Sequence, residues 1–269
     1  MENSETEAFS EFLMDKERSQ NTIAAYVKAV ELFFVDFKEL NKKNMLEFKQ
    51  LQIQKWKVKT ANARIIAMNQ YCIFKGHPEY CVKGFKIQQA TSLENVITIE
   101  EYKKLLSGLY KDGNERGYWM IQFLAKTGAR ASEFINLPID SLEKGYCEMW
   151  TKGKFRRIYI PQTLIEESRG FFEKQNSDFL FPNRYGRKMS TRGLAKLIRN
   201  WAKKYGIRKE VAHPHAFRHL YAIQFLHQNQ NIALLADLMG HSSVSTTSIY
   251  LRLSKEEQIR QFNEAAERW

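Results

Sequence analysis

The chain carries one stretch that organises the reading of the rest, His213 to Tyr250: HPHAFRHLYAIQFLHQNQNIALLADLMGHSSVSTTSIY. Pro214 suits a first helical position, because its missing N–H would be unsatisfied there anyway, so a helix is predicted to begin at that point. His215 and Arg218 lie three apart and share a face in the first turn. Phe217, Leu220 and Tyr221 fall on another side, toward a core. The free N–H groups and positive dipole end of such a turn favour an anion. An arginine beside a histidine suits phosphate better than a packed interior. Gly240 then stops a helix and His241 follows it. Tyr250 stands nine residues further on, near the end of a short helix led by Val, Ser and Thr.

Blander readings compete with this one. A lone histidine is more often packed or exposed than catalytic. His213, His215, His219 and His241 could be zinc ligands, but Arg218 within the helical set would repel a dication, and no carboxylate or Cys sits at a ligand spacing nearby. Tyr250 by itself would be an ordinary half-buried aromatic.

Working outward, TGARASE places Arg130 just after a helix stop at Gly128, ahead of a helix over Ala131 to Leu137. At that turn the arginine can reach into a cleft; alone, it would be read as a salt bridge to Glu133 or Asp140. Glu133 reads as an orienting or capping group. Gly145 to Trp150 and Arg156 to Ile160 alternate as strands, with TKGK turning between them, so a hairpin with a basic tip is expected.

The ordered set Arg130, the basic hairpin WTKGKFRRIYIP, H-x-x-R-H, L-x-G-H and Tyr250 closely resembles the tyrosine recombinase (phage integrase) family. The resemblance is strong from Thr98 to Tyr250 and weak in the N-terminal third. It implies a mainly helical fold with a small β-hairpin, divided into a helical core-binding domain and a mixed α/β catalytic domain. It also implies a catalytic set of Arg130, Lys152, His215, Arg218, His241 and Tyr250. Lys152 matches the family's hairpin lysine, with Lys154 as the rival; a plain phosphate contact is the alternative job for either.

Composition agrees with such a partner. The 269 residues suggest roughly two domains. A net charge of +12 points to nucleic acid, with an anionic membrane surface as the competing reading. No apolar run has membrane length, and the N-terminus MENSETEAFSEF is unlike a signal peptide. Cys72, Cys81 and Cys147 are odd in number and widely spaced, as expected of reduced packing residues in a cytoplasmic protein.

In chain order, helices are expected near Glu7 to Met14, from a Ser19 or Asn21 cap through Phe37, near Asn44 to Leu51 and near Thr60 to Phe74. They form an N-terminal domain over residues 1–82. A linker is expected over 83–97, where helical periodicity is lost. The catalytic domain then runs over 98–269, opening on a Thr98–Glu101 capping box. Leu164 to Lys174 and the stretch capped by Ser190 are helical, with DFLFPN a short extended piece. Lys196 and Arg199 on the second of these helices, with Lys154 and Arg156 on the hairpin, are candidate DNA contacts. A final helix over 254–269 carries Ile259, Phe262, Ala266 and Trp269 as an apolar stripe.

What the resemblance implies chemically is a phosphotyrosine route. Tyr250 attacks phosphorus and is joined to a DNA 3′ end. Arg130 and Arg218 clamp the non-bridging oxygens. His215 manages the tyrosine proton and Lys152 supplies one to the leaving 5′ oxygen. His241 bonds a phosphate oxygen or orients the tyrosine. No metal or cofactor is required by that chemistry. The implied partner is double-stranded DNA with a specific site, acted on by a homotetramer across two duplexes that is mainly monomeric when free, its terminal helix docking on a neighbour. A type IB-like topoisomerase shares the chemistry, and a catalytically inert DNA-binding protein is the reading outside enzymes.

Overall fold

The computed structural model describes residues 3–86, 96–151, 154–241, 243–251 and 262–267. The chain divides into two compact units, Met1–Gln89 and Ala90–Trp269.

The first unit is helical. α1 (Asn3–Asp15), α2 (Gln20–Asp36), α3 (Lys42–Lys55) and α4 (Val58–Phe74) surround an aromatic-rich core of Phe9, Phe33, Phe48 and Tyr71. Ser19 and Asn41 cap α2 and α3 by accepting from Thr22 and Asn44 backbone N–H groups. The Tyr71 hydroxyl donates to Glu5 at 2.7 Å, tying α4 to α1. The unit extends past residue 82, where the linker was expected to start. Asn69 on α4 bonds both backbone groups of Val82, and Asn62 does the same for Phe85. These paired amide contacts replace the missing helical bonds, so loss of periodicity there marks an extended segment held against a helix. Residues 87–95, most of the expected linker, lie outside the described residues.

The second unit opens on α5 (Ile99–Lys111), whose Thr98–Glu101 capping box forms as the sequence predicts. α6 (Glu115–Thr127) is buried along most of its length and packs against α5 and later elements. It ends at Gly128, with φ of 60°. A side chain there would meet the Tyr221 ring within 2.5 Å, so glycine is required twice over. α7 spans only Ala131–Phe134, shorter than the expected Ala131 to Leu137. Pro138 disfavours helix in the residue before it, and its neighbours pair instead with Asp178 and Leu180 in a short antiparallel bridge.

After α8 (Ser141–Lys144), β1 (Tyr146–Thr151) and β2 (Lys154–Tyr159) form a two-stranded antiparallel sheet. Register pairs Cys147 with Ile158 and Trp150 with Phe155. The pleat sends Cys147, Arg156 and Ile158 inward and Glu148, Trp150 and Phe155 outward. α9 (Gln162–Phe172) and α10 (Thr191–Lys204) follow, α10 burying Leu194, Ile198 and Ala202 and leaving Lys196 and Arg199 exposed. α11 (Pro214–Gln228), α12 (Ile232–Met239), α13 (Val244–Thr247) and a 3-10 turn (Ser248–Leu251) complete the described core. Of the expected terminal helix, residues 262–266 are helical with Phe262 exposed, while 254–261 and 268–269 lie outside the described residues. Among the described residues no helix is long and apolar enough to cross a membrane.

Candidate active site

The last three carbonyls of α12 and its cap organise the site. A helix leaves its final C=O groups without internal partners. Here each of three consecutive ones accepts from a different arginine: Leu238 from Arg156 at 2.7 Å, Met239 from Arg218 at 2.6 Å, and Gly240 from Arg130 at 2.8 Å. The negative end of the helix dipole faces the same three cations. Gly240 has φ of 59°, and a Cβ there would lie 2.5 Å from the Arg156 side chain, so the helix stop and the arginine packing demand the same residue.

Arg218 sits in the first turns of α11 and is only 1% exposed. Its other amino group donates to the Gly128 carbonyl at 2.6 Å, so it joins the ends of α6 and α12. Burial and the neighbouring Arg130 pull its pKa down to about 10, which leaves it charged at neutral pH. Among the described residues no ion pair links it to a carboxylate.

Arg130, at the turn after α6, is held by Glu133. Its guanidinium donates to Glu133 Oε1 at 2.7 Å and its backbone N–H to Oε2 at 2.7 Å. The salt bridge weighed from sequence and the cleft position therefore coexist. Glu133 is buried and also ion-paired with Arg156. Burial pushes the Glu133 carboxyl up, but Arg156 and Arg130 outweigh it and hold the group below its ordinary range.

Arg156 was expected to touch DNA. Instead it is 5% exposed and bonded to Glu133 and Leu238. The reason is strand parity: Arg156 shares a face with Ile158, which enters the core, whereas Arg157 points outward to Glu148. That alternation was present in the sequence and was the signal to use. Lys152 lies outside the described residues, and of Lys154 only its place at the start of β2 is described.

His241, after the Gly240 stop, bridges two elements. Its Nε2 accepts from Arg218 at 3.0 Å, so Nδ1 carries the proton and donates to Thr247 Oγ1 at 2.8 Å. Burial, then Arg218, lower its pKa to about 4, so the ring is neutral. His215 is exposed on the first turn of α11, with its pKa lowered by partial desolvation and by Arg218.

Tyr250 is 7% exposed, on the 3-10 turn that packs on α11. Its hydroxyl lies 2.9 Å from Nδ1 of His219, the last residue of H-x-x-R-H, to which the sequence assigns no catalytic role. His219 is one helical turn beyond His215, and the two rings meet edge to face at 4.2 Å between centroids. The i, i+4 spacing within H-x-x-R-H was the available signal.

Comparison with known proteins follows the same line. The family model for the phage integrase family matches residues 95–257. The chain belongs to the phage integrase family. Its relatives include the tyrosine recombinase XerA of Pyrococcus furiosus, 29% identical over 97% of this chain and 92% of the relative. A tyrosine recombinase of Pseudothermotoga lettingae is 30% identical over 95% of this chain and 96% of its own. In fold, this integrase-family chain is similar to the Tn1549 transposon integrase solved with transposon right-end DNA, with a TM-score of 0.74, 16% identity and coverage of 98% and 99% of the two chains. The chain is thus a tyrosine recombinase, an enzyme that cuts and rejoins DNA at specific sites, and neither relaxation alone nor inert DNA binding is favoured.

Proposed function

We infer that Tyr250 is the nucleophile of this recombinase, attacking the scissile phosphodiester to leave a 3′-phosphotyrosine and a free 5′ hydroxyl. The observation that carries the reading is the convergence of Arg130, Arg218 and His241 on the end of α12, with Tyr250 on the turn reached through Thr247. Arg130 and Arg218 bind the non-bridging oxygens and stabilise the extra negative charge of the phosphorane. Arg218, held by the Gly128 and Met239 carbonyls and not by a carboxylate, keeps most of its charge available for that purpose. His241, fixed between Arg218 and Thr247, keeps the arginine and the tyrosine-bearing turn in register. His215, exposed beside Arg218, supplies a further phosphate contact. Lys152, which follows β1 in the sequence, is assigned to protonate the leaving 5′ oxygen.

Exposed Lys196 and Arg199 on α10 bind backbone phosphates, and Lys154 does so from the hairpin. The helical first unit also binds the duplex. Four copies act on two duplexes, each recombining site-specific double-stranded DNA in the cytoplasm, on the nucleoid. Incubation with a nicked suicide substrate tests the reading. A covalent adduct whose phosphopeptide maps to Tyr250, on the DNA 3′ end, is expected; an adduct on any other residue or on the 5′ end refutes it.

A further inference from the structure

We propose that His219, rather than the exposed His215, takes the proton from Tyr250 as the tyrosine attacks phosphorus and returns it when the strands are rejoined, a deepening that rests on Tyr250 being the nucleophile. The Tyr250 hydroxyl is 2.9 Å from His219 Nδ1, within proton-transfer reach. Among the described residues His219 is its hydrogen-bond partner, and the rings lie 5.5 Å apart by centroid. His215 packs on the His219 ring, and among the described residues no hydrogen bond joins it to Tyr250.

Charge decides the direction of the resting bond. Burial raises the Tyr250 pKa, and burial, with the neighbouring histidines and Arg218, lowers that of His219 to about 4, so both are neutral at pH 7. The phenol therefore donates to Nδ1, and Nε2 carries the imidazole proton. The groups that face His219 are His215 and Arg218 from α11, His213 from its N-cap, and His241 from the loop after α12. Burial and the charged Arg218 oppose a charge on the ring while the site holds no phosphate, and the histidines would add to this only when protonated. A phosphodiester between Arg130 and Arg218 adds one negative charge, and the phosphorane adds a second. Both favour an imidazolium at His219 in the step where the phenol gains acidity.

The balance is simple. The Oη–H bond of Tyr250 breaks, its electron pair forms the Oη–P bond, and the proton goes to Nδ1. The P–O5′ bond breaks, and the leaving oxygen takes its proton from another donor, Lys152 in the reading above. In rejoining, a 5′ hydroxyl displaces the tyrosine, and Tyr250 recovers the proton from His219.

The test is single-turnover cleavage of a nicked suicide substrate across a pH series, with full-length protein saturated by DNA. His219→Asn places an amide oxygen near the position of Nδ1, keeping the hydrogen bond but removing the base. Cleavage should slow by about 100-fold and the acid limb of the pH profile should disappear. His215→Asn, on an exposed ring, should retain that limb whatever it does to the plateau. A wild-type rate with its limb intact in His219→Asn overturns the proposal, as does loss of the limb in His215→Asn. Should His219→Asn melt below the assay temperature, the His215→Asn profile decides alone. Adduct formation by Tyr250→Phe would instead remove the nucleophile reading, independently of either histidine.

Discussion

Arg156 and Glu133 form an ion pair in which both side chains are almost wholly buried, one on β2 and the other on α7. The pair joins the hairpin to the turn that carries Arg130, and Arg156 reaches on to the end of α12. Breaking a buried pair from one side leaves an uncompensated charge. Arg156→Met should therefore destabilise the second unit by about 3 kcal/mol and lower cleavage, because Glu133, the partner of Arg130, loses a contact that fixes it. Denaturant unfolding of the single variants and of Arg156→Met with Glu133→Gln checks this: the double variant should lose less than the sum of the two.

Arg130→Ala and Arg218→Ala should each slow cleavage by about 100- to 1000-fold at saturating DNA, the scale of losing one transition-state charge contact. Duplex affinity should fall far less, since phosphate contacts elsewhere supply most of it. Rates measured on suicide substrate, with binding followed by gel shift, separate the two effects. A wild-type rate at saturation would take that arginine out of the site.

Lys152 and Lys154 are to be told apart by leaving-group chemistry. A substrate with sulfur in place of the 5′ bridging oxygen departs without an acid. It should restore cleavage to Lys152→Ala, whereas Lys154→Ala should behave as a binding variant that excess DNA corrects. Rescue of Lys154→Ala instead would move the acid two residues along.

Stability should depend on pH through His219 and His241. Each has a folded pKa near 4, against about 6.5 when unfolded, so between these values the unfolded chain binds more protons. The neutral rings favour the fold above pH 6.5 or so, and that contribution is lost as pH falls toward 4. Melting temperature should decline over this window, and His219→Asn or His241→Asn should flatten the decline. A slope unchanged in both variants would show that the carboxylates alone cause it.

Deleting residues 254–269 should leave a folded monomer that binds one half-site yet assembles two duplexes poorly. Phe262, exposed within residues 262–266, is the kind of anchor a neighbouring copy would bury. A collapsed melting transition in the truncated protein would place the segment on its own chain, and normal pairing of duplexes would show that it is not needed.

Much of this was legible in the residues because each signal is local. Ser19, Thr98, Ser190 and Pro214 start helices by their own side-chain or ring chemistry, and Gly128 and Gly240 stop them through a positive φ. The motif spacing likewise delivers Arg130, Arg218 and His241 to one place. The misses come from relationships that run through space. Nothing adjacent to Val82 announces that Asn69 and Asn62 will hold residues 82–85 in extended form. The inward turn of Arg156 follows from counting alternate residues back from Ile158, but a buried arginine is credible only once Glu133 is known to wait for it. His219 was passed over because its partner lies on another element, and only the packing of the 3-10 turn on α11 brings Tyr250 to it.

The end of α12 has a consequence for how the recombinase meets its substrate. Had acidic side chains held Arg218, each full negative charge would have cancelled the cation it fixed. A helix terminus carries only about half a charge, spread over several carbonyls. Arg218 is therefore pinned in place while its own positive charge stays uncancelled by a carboxylate. The rigidity that pre-organises the arginine and the field that draws in a phosphate come from one short helix, and lengthening α12 by a turn would forfeit both together.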